Sequence, residues 1–187
     1  MSKIIVIQFI TLDGVTQDPD GSDGFEHGGW AFRFGPQTVA GDKFKLDGLL
    51  KSGALLLGRR TWQLFAGLWP ARTDEFSQSM NAIPKLVASH TLESVDAWSN
   101  SSLLTGDVLE AIRARKERQD LIVVGSDSLV RLLREHDLID EYRLLIFPIV
   151  LGSGHRLFPE GTKPATLETL SVEQSGAACL VRLSVTR

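Results

Sequence analysis

Three short apolar runs, Ile4-Ile5-Val6-Ile7, Ala54-Leu55-Leu56-Leu57 and Leu121-Ile122-Val123-Val124, constrain this chain most. Each is too short to cross a membrane and too continuous to alternate between core and solvent, so each reads as a strand covered on both faces. The second is followed by Trp62, Leu64, Phe65 and Leu68 at helical spacing, and the third by Leu129, Val130, Leu132 and Leu133. Strands that alternate with helices imply right-handed crossovers and a largely parallel sheet. Lys85-Leu86-Val87-Ala88 is a further short strand, Asp107 to Arg118 a helix with a solvated basic end, and Phe44, Leu46, Leu49 and Leu50 suggest a helix before Ala54. The first run, rich in β-branched residues and extended by Phe9-Ile10, belongs near the middle of the sheet.

The last third has a different pattern. Tyr142 to Val150 is a long apolar strand, and Cys179, Val181, Leu183 and Val185 alternate with polar residues at a period of two. With Thr166 to Glu173 before Gln174-Ser175-Gly176-Ala177, these residues form an antiparallel hairpin. The expected fold is α/β, a mixed and mostly parallel sheet flanked by helices with a C-terminal antiparallel hairpin, in one domain spanning 1–187. Asp13 to Gly29, rich in Gly, Asp, Pro and Ser, is a long loop of the kind that carries function.

Gly58-Arg59-Arg60-Thr61-Trp62 lies directly behind the second strand. A helix that starts there presents unpaired N–H groups and a positive dipole end, which is where a phosphate binds. Arg59 and Arg60 add permanently charged planar donors suited to phosphate oxygens. The plainer alternative is a helix start with two solvated arginines. Gly125-Ser126 after the third strand repeats the arrangement, since glycine lowers the steric cost of close backbone approach; there the alternative is that Ser126 or Asp127 only caps the helix.

A net charge of -3 provides no broad basic surface, so nucleic acid and anionic membranes are not expected as main partners. One cysteine, Cys179, cannot form an internal disulfide or a multi-cysteine zinc site. His27, His90, His136 and His155 lack ligand spacing, so no metal is expected. The Ile4–Ile7 run is shorter than a signal-peptide core, which gives a cytoplasmic expectation.

Taken together, these motifs resemble the dihydrofolate reductase superfamily over nearly the whole chain. Gly58-Arg59-Arg60-Thr61-Trp62 is similar to its Gly-Arg-x-Thr-Trp cofactor motif. The resemblance implies NADPH, with Arg59 and Arg60 on the adenosine-side phosphates, Thr61 on the pyrophosphate, and Ser89 or His90 near the 2′-phosphate. Gly125, Ser126, Asp127, Ser128 and Leu129 resemble the second phosphate loop, where dihydrofolate reductases carry adjacent glycines. Two further stretches resemble the riboflavin-biosynthesis reductase branch: Ile10-Thr11-Leu12-Asp13-Gly14, and Leu138-Ile139-Asp140-Glu141-Tyr142 followed by Pro148-Ile149-Val150-Leu151-Gly152-Ser153-Gly154 and Leu157-Phe158. Thr11 and Asp13 are accordingly candidate catalytic residues, although Asp13 before glycine also fits a turn former. Trp30 is a third candidate, either closing over the pocket or packed as a hydrophobic lid.

Folate-reducing members place a carboxylic acid on their first long helix, whereas the matching stretch Gly28 to Phe34 has none. The zinc deaminase half fused to many riboflavin reductases needs a Pro-Cys-x-x-Cys pattern that one cysteine cannot make. The resemblance therefore implies a stand-alone NADPH-dependent reductase of a small heterocyclic or ribosylaminopyrimidine-like substrate, and a homodimer. The alternatives are a dinucleotide-binding sensor or dimeric module with little turnover and, weaker for want of the acid, a strict dihydrofolate reductase.

Overall fold

The structure, a computed structural model, describes residues 1–186. Its elements in chain order are β1 (Ile4–Thr11), α1 (Leu49–Ser52), β2 (Ala54–Gly58), α2 (Arg59–Leu68), α3 (Glu75–Ala82), β3 (Lys85–Ala88), β4 (Ser101–Leu103), α4 (Val108–Lys116), β5 (Leu121–Gly125), α5 (Asp127–Glu135), β6 (Glu141–Phe147), β7 (Leu167–Ser175) and β8 (Ala178–Val185). The eight strands are ordered β4-β3-β2-β5-β1-β6-β8-β7, so the β-branched N-terminal run is interior, as expected. Contacts group the chain into two compact units, Met1–Val6 with Leu46–Asp140, and Ile7–Lys45 with the chain from Glu141 onward.

The first unit is the parallel part. β1 pairs with β5, β5 with β2, β2 with β3 and β3 with β4, all parallel. Every residue of β2 is buried, as a strand covered on both faces requires. α5 turns Leu129, Val130 and Leu133 inward and leaves Arg131 exposed. Two elements were not expected, α3 and the three-residue β4. α3 buries only Ser77 and Met80, so it lacks the apolar stripe that would mark it in the sequence. The helix expected around Phe44 to Leu50 is reduced to one turn, α1. Lys45 and Asp47 have φ of 52° and 32°, outside right-handed helical space, and Gly48 follows them.

The second unit holds the antiparallel part. β8 pairs with both β6 and β7, and the hairpin turns at Gly176 with φ of 62°. β6 ends at Phe147 rather than Val150, because Pro148 has no N–H for the ladder. Trp30, Ala31, Leu145, Phe147, Ala178 and Leu180 form its core, with Phe9, Phe34 and Phe44 packed around them. Gly28 to Phe34 forms no long helix, only a 3-10 turn at Trp30–Phe34.

Candidate functional site

In the first unit, adjacent parallel strands deliver two helix starts to one edge. Leu57 of β2 is opposite Gly125 of β5, α2 begins directly after Gly58, and α5 begins after Ser126. Neither Gly58 nor Ser126 supplies a side-chain cap. By contrast, Asp74 caps α3 through the Ser77 amide at 3.0 Å and Asp107 caps α4 through the Glu110 amide at 2.9 Å. The two helices behind β2 and β5 thus start without a side-chain cap from the residue before them, at the positive ends of their dipoles.

The turns are packed tightly. A methyl group on Gly58 would lie 2.9 Å from the Ser126 amide nitrogen and closer still to its hydroxyl. One on Gly125 would lie 2.7 Å from Thr61 Oγ1. Gly58, Thr61, Gly125 and Ser126 are therefore brought together, and the Gly125–Ser126 peptide is cis. Arg59 and Arg60 are exposed, and among the described residues neither side chain forms an ion pair.

Gly58 also pairs with Ala88 of β3, so Ser89 is the next residue along the same edge. The Ser89 hydroxyl accepts from the Thr91 and Leu92 amides at 3.1 and 3.0 Å, and His90 is exposed. Ser128 is exposed with its hydroxyl 2.9 Å from that of Ser126, and Asp127 is exposed beside it. Leu129 is 4% exposed and its side chain packs in the core, so only its backbone can face a ligand. Amide donors, glycine-limited approach and two unpaired guanidinium groups form a donor set suited to a diphosphate with a further phosphate ester.

The second unit contains the three candidate catalytic residues. The Asp13 Oδ1 accepts the Thr11 hydroxyl at 2.7 Å and the Leu151 amide at 3.2 Å, while Oδ2 accepts the Gly152 amide at 2.8 Å. Arg156 is 3.8 Å from Oδ2 and donates to the Asp13 carbonyl at 3.1 Å. Partial burial pushes the Asp13 carboxyl upward, but the Thr11 hydroxyl and the Gly152 and Leu151 amides outweigh it, so the group titrates below the ordinary aspartate value. It is a committed anionic acceptor at neutral pH. Thr11 is 1% exposed and also accepts the Val15 amide at 2.9 Å, so its hydroxyl orients Asp13 from within the protein.

Trp30 lies in the core rather than over an open pocket. It is 0% exposed, packs edge-on against Phe147 at 5.4 Å, and donates its indole N–H to the Gln17 carbonyl at 2.8 Å. The sequence reading missed two contributors to this region. Gln17 accepts the His155 amide at 3.0 Å, and Arg156 braces Asp13; their side chains carry no motif, because their partners lie far along the chain.

A family model for the RibD C-terminal domain matches residues 2–181. The chain belongs to the RibD C-terminal domain family. Among solved structures, a protein named as a riboflavin biosynthesis protein, from Shewanella sp. PV-4, superposes with a TM-score of 0.73 at 23% identity, covering 99% of each chain. The Thermotoga maritima diaminohydroxyphosphoribosylaminopyrimidine deaminase/5-amino-6-(5-phosphoribosylamino)uracil reductase has a TM-score of 0.63 at 17% identity, and the match spans 57% of that longer chain. At these identities the structures establish the fold. The uncharacterized protein YyaP of Bacillus subtilis (strain 168) is 26% identical over 163 residues, covering 83% of this chain and 80% of that protein. RibD-family membership supports a reductase-like role. Among the described residues, no helix is long and apolar enough to cross a membrane.

Proposed function

We propose that this chain is an NADPH-dependent reductase of a small heterocyclic substrate of the ribosylaminopyrimidine kind. The observation that carries the reading is the pair of uncapped helix starts behind Gly58 and Gly125, flanked by unpaired Arg59 and Arg60, in a chain of the RibD C-terminal family. In this reading the first-turn amides of α2 and α5 hold the pyrophosphate, and Arg59 and Arg60, with Ser89 or His90, hold the phosphate on the adenosine ribose. When bound, the dihydronicotinamide supplies a hydride to an electrophilic carbon of the substrate while the neighbouring nitrogen or oxygen takes a proton. The protein's own contribution is to bind, orient and exclude water, which needs no nucleophilic triad.

Charge-assisted contacts to a phosphate each contribute about 1.5–3 kcal/mol, or roughly 10- to 100-fold in affinity. Arg59→Ala and Arg60→Ala should therefore weaken NADPH more than NADH, as read by coenzyme fluorescence. An NADPH to NADH affinity ratio unchanged in both variants overturns this assignment. The three donors on Asp13, which hold its carboxyl below the ordinary aspartate value, favour a second reading, a dinucleotide-binding sensor or dimeric module with little turnover, because that carboxylate has no proton to give at neutral pH. Tight NADPH binding without its oxidation over a panel of ribosylaminopyrimidines and pterins selects the second reading. The proposed homodimer is checked by light scattering, where a clean monomer at micromolar concentration counts against it.

A further inference from the structure

Residues 149–157 of the second unit form a segment, exposed at Val150, Gly152, Ser153, His155 and Arg156, that should be loose. Gly152 and Gly154 have φ of 76° and 116°, Gly152 and Ser153 are exposed, and fixing glycines in such conformations is entropically costly. Nevertheless both arms of the segment are tied to residues 11–17. The Leu12 amide donates to the Ile149 carbonyl at 2.9 Å, the Thr16 amide to the His155 carbonyl at 2.9 Å, and the Leu157 amide to the Gly14 carbonyl at 3.0 Å. Gln17 takes the His155 amide, and a methyl group on Gly154 would lie 2.8 Å from Val15 Cγ1. At the exposed tip, where backbone pairing stops, the Asp13 carboxylate takes the Leu151 and Gly152 amides.

We propose that Asp13 is a positioning residue, a latch whose carboxylate fixes the 151–154 tip in the shape that receives the second reactant, and not the proton donor of the reaction. This rests on the reductase reading for its catalytic consequence, but the latch itself is a property of this unit alone. The chemistry supports it on two counts. Three donors already bond to the carboxylate, two on Oδ1 and one on Oδ2, so protonation would neutralise the acceptor that all three bonds use. Charge-assisted bonds are also about twice as strong as neutral ones, which is what an exposed glycine-rich tip needs to stay ordered.

The test uses the full chain with Asp13→Ala and, where alanine impairs folding, the near-isosteric Asp13→Asn, whose amide turns a donor toward an amide donor. Amide hydrogen exchange at 150–154 should accelerate roughly 10- to 100-fold in both variants, the range expected for losing bonds to a charged acceptor. NADPH affinity, read by fluorescence, should stay within about twofold, since the Asp13 carboxylate bonds to none of the proposed coenzyme donors. Where the wild type oxidises NADPH with 5-amino-6-(5-phosphoribosylamino)uracil as the probe, the variants should raise KM about tenfold or more, with kcat within about threefold and an unshifted pH profile. Unchanged exchange at 150–154 overturns the latch. A collapse of kcat at constant KM with a lost limb in the pH profile also overturns it and makes Asp13 the proton donor. If the wild type shows no turnover over the whole panel of ribosylaminopyrimidines and pterins, the reductase reading fails and the exchange measurement alone decides the latch.

Discussion

Gly58→Ala tests the geometry of the two helix starts most directly. The backbone there has φ of -77° and ψ of 164°, which alanine adopts freely, so any damage is purely steric. The added methyl would meet the Ser126 amide nitrogen at 2.9 Å, and a backbone atom at the mouth of α5 cannot swing aside as a long side chain would. Overpacking of this kind costs about 1–3 kcal/mol. Restricting the unfolded chain returns about 0.4–1 kcal/mol. The net loss is therefore roughly 0–2.5 kcal/mol, read by urea unfolding. Because the displaced atoms are the proposed phosphate donors, NADPH affinity should fall about tenfold, equivalent to about 1.4 kcal/mol. Gly67→Ala is the internal control on the same helix: its methyl enters open space, and it should gain about 0.5–1 kcal/mol. If Gly58→Ala proves as stable as Gly67→Ala and binds NADPH like the wild type, the claim of tight contact between the two turns is refuted.

Three further outcomes follow from particular side chains. Lys85 is fully buried, and burial lowers its pKa from 10.5 to about 8, although bonds to the Asn81 and Ser99 carbonyls at 2.5 and 2.9 Å and the Trp98 ring at 4.3 Å favour its ammonium form. Between those pH values the unfolded chain binds more protons than the folded one, so stability should rise with pH from 8 to 10.5, by up to about 3 kcal/mol. Urea unfolding of the wild type against Lys85→Met checks this, and a difference independent of pH refutes it. Asp107→Ala should cost α4 about 1 kcal/mol, whereas Ser126→Ala should stay within about 0.5 kcal/mol because Ser126 caps nothing with its side chain; thermal or urea unfolding distinguishes them. Trp30→Ala should lose about 3–5 kcal/mol of stability, and a variant of native stability that alters only substrate KM would place Trp30 at the pocket after all.

Much of the fold was legible in the sequence because burial on both faces leaves a local signature. Ile4–Ile7, Ala54–Leu57, Lys85–Ala88 and Leu121–Val124 each read as strands and are strands. The hairpin was legible from its turn and its period of two, but the face was misread: Ala178 and Leu180 are buried while Cys179 is exposed, because the core of the second unit takes those two residues. α3 was illegible because its few buried residues make no stripe, and α1 was overread because backbone conformations at Lys45 and Asp47 override an apolar spacing. In the first unit, Gly58, Thr61, Gly125 and Ser126 could be named from their places after strands, and parallel pairing brings them together.

The residues of the second unit are another matter. Composition and order alone determined that Asp13 lies before a glycine at a strand end, that Trp30 follows a long loop, and that 148–154 is a glycine-rich turn. Only the tertiary structure decided that Asp13 accepts amides 138 and 139 positions away and that Trp30 is sealed in a core with Phe147. The reason is physical: a strand or a helix start is specified by neighbours in the chain, whereas the charge state of a carboxylate and the burial of a ring depend on which distant atoms folding brings within about 3 Å.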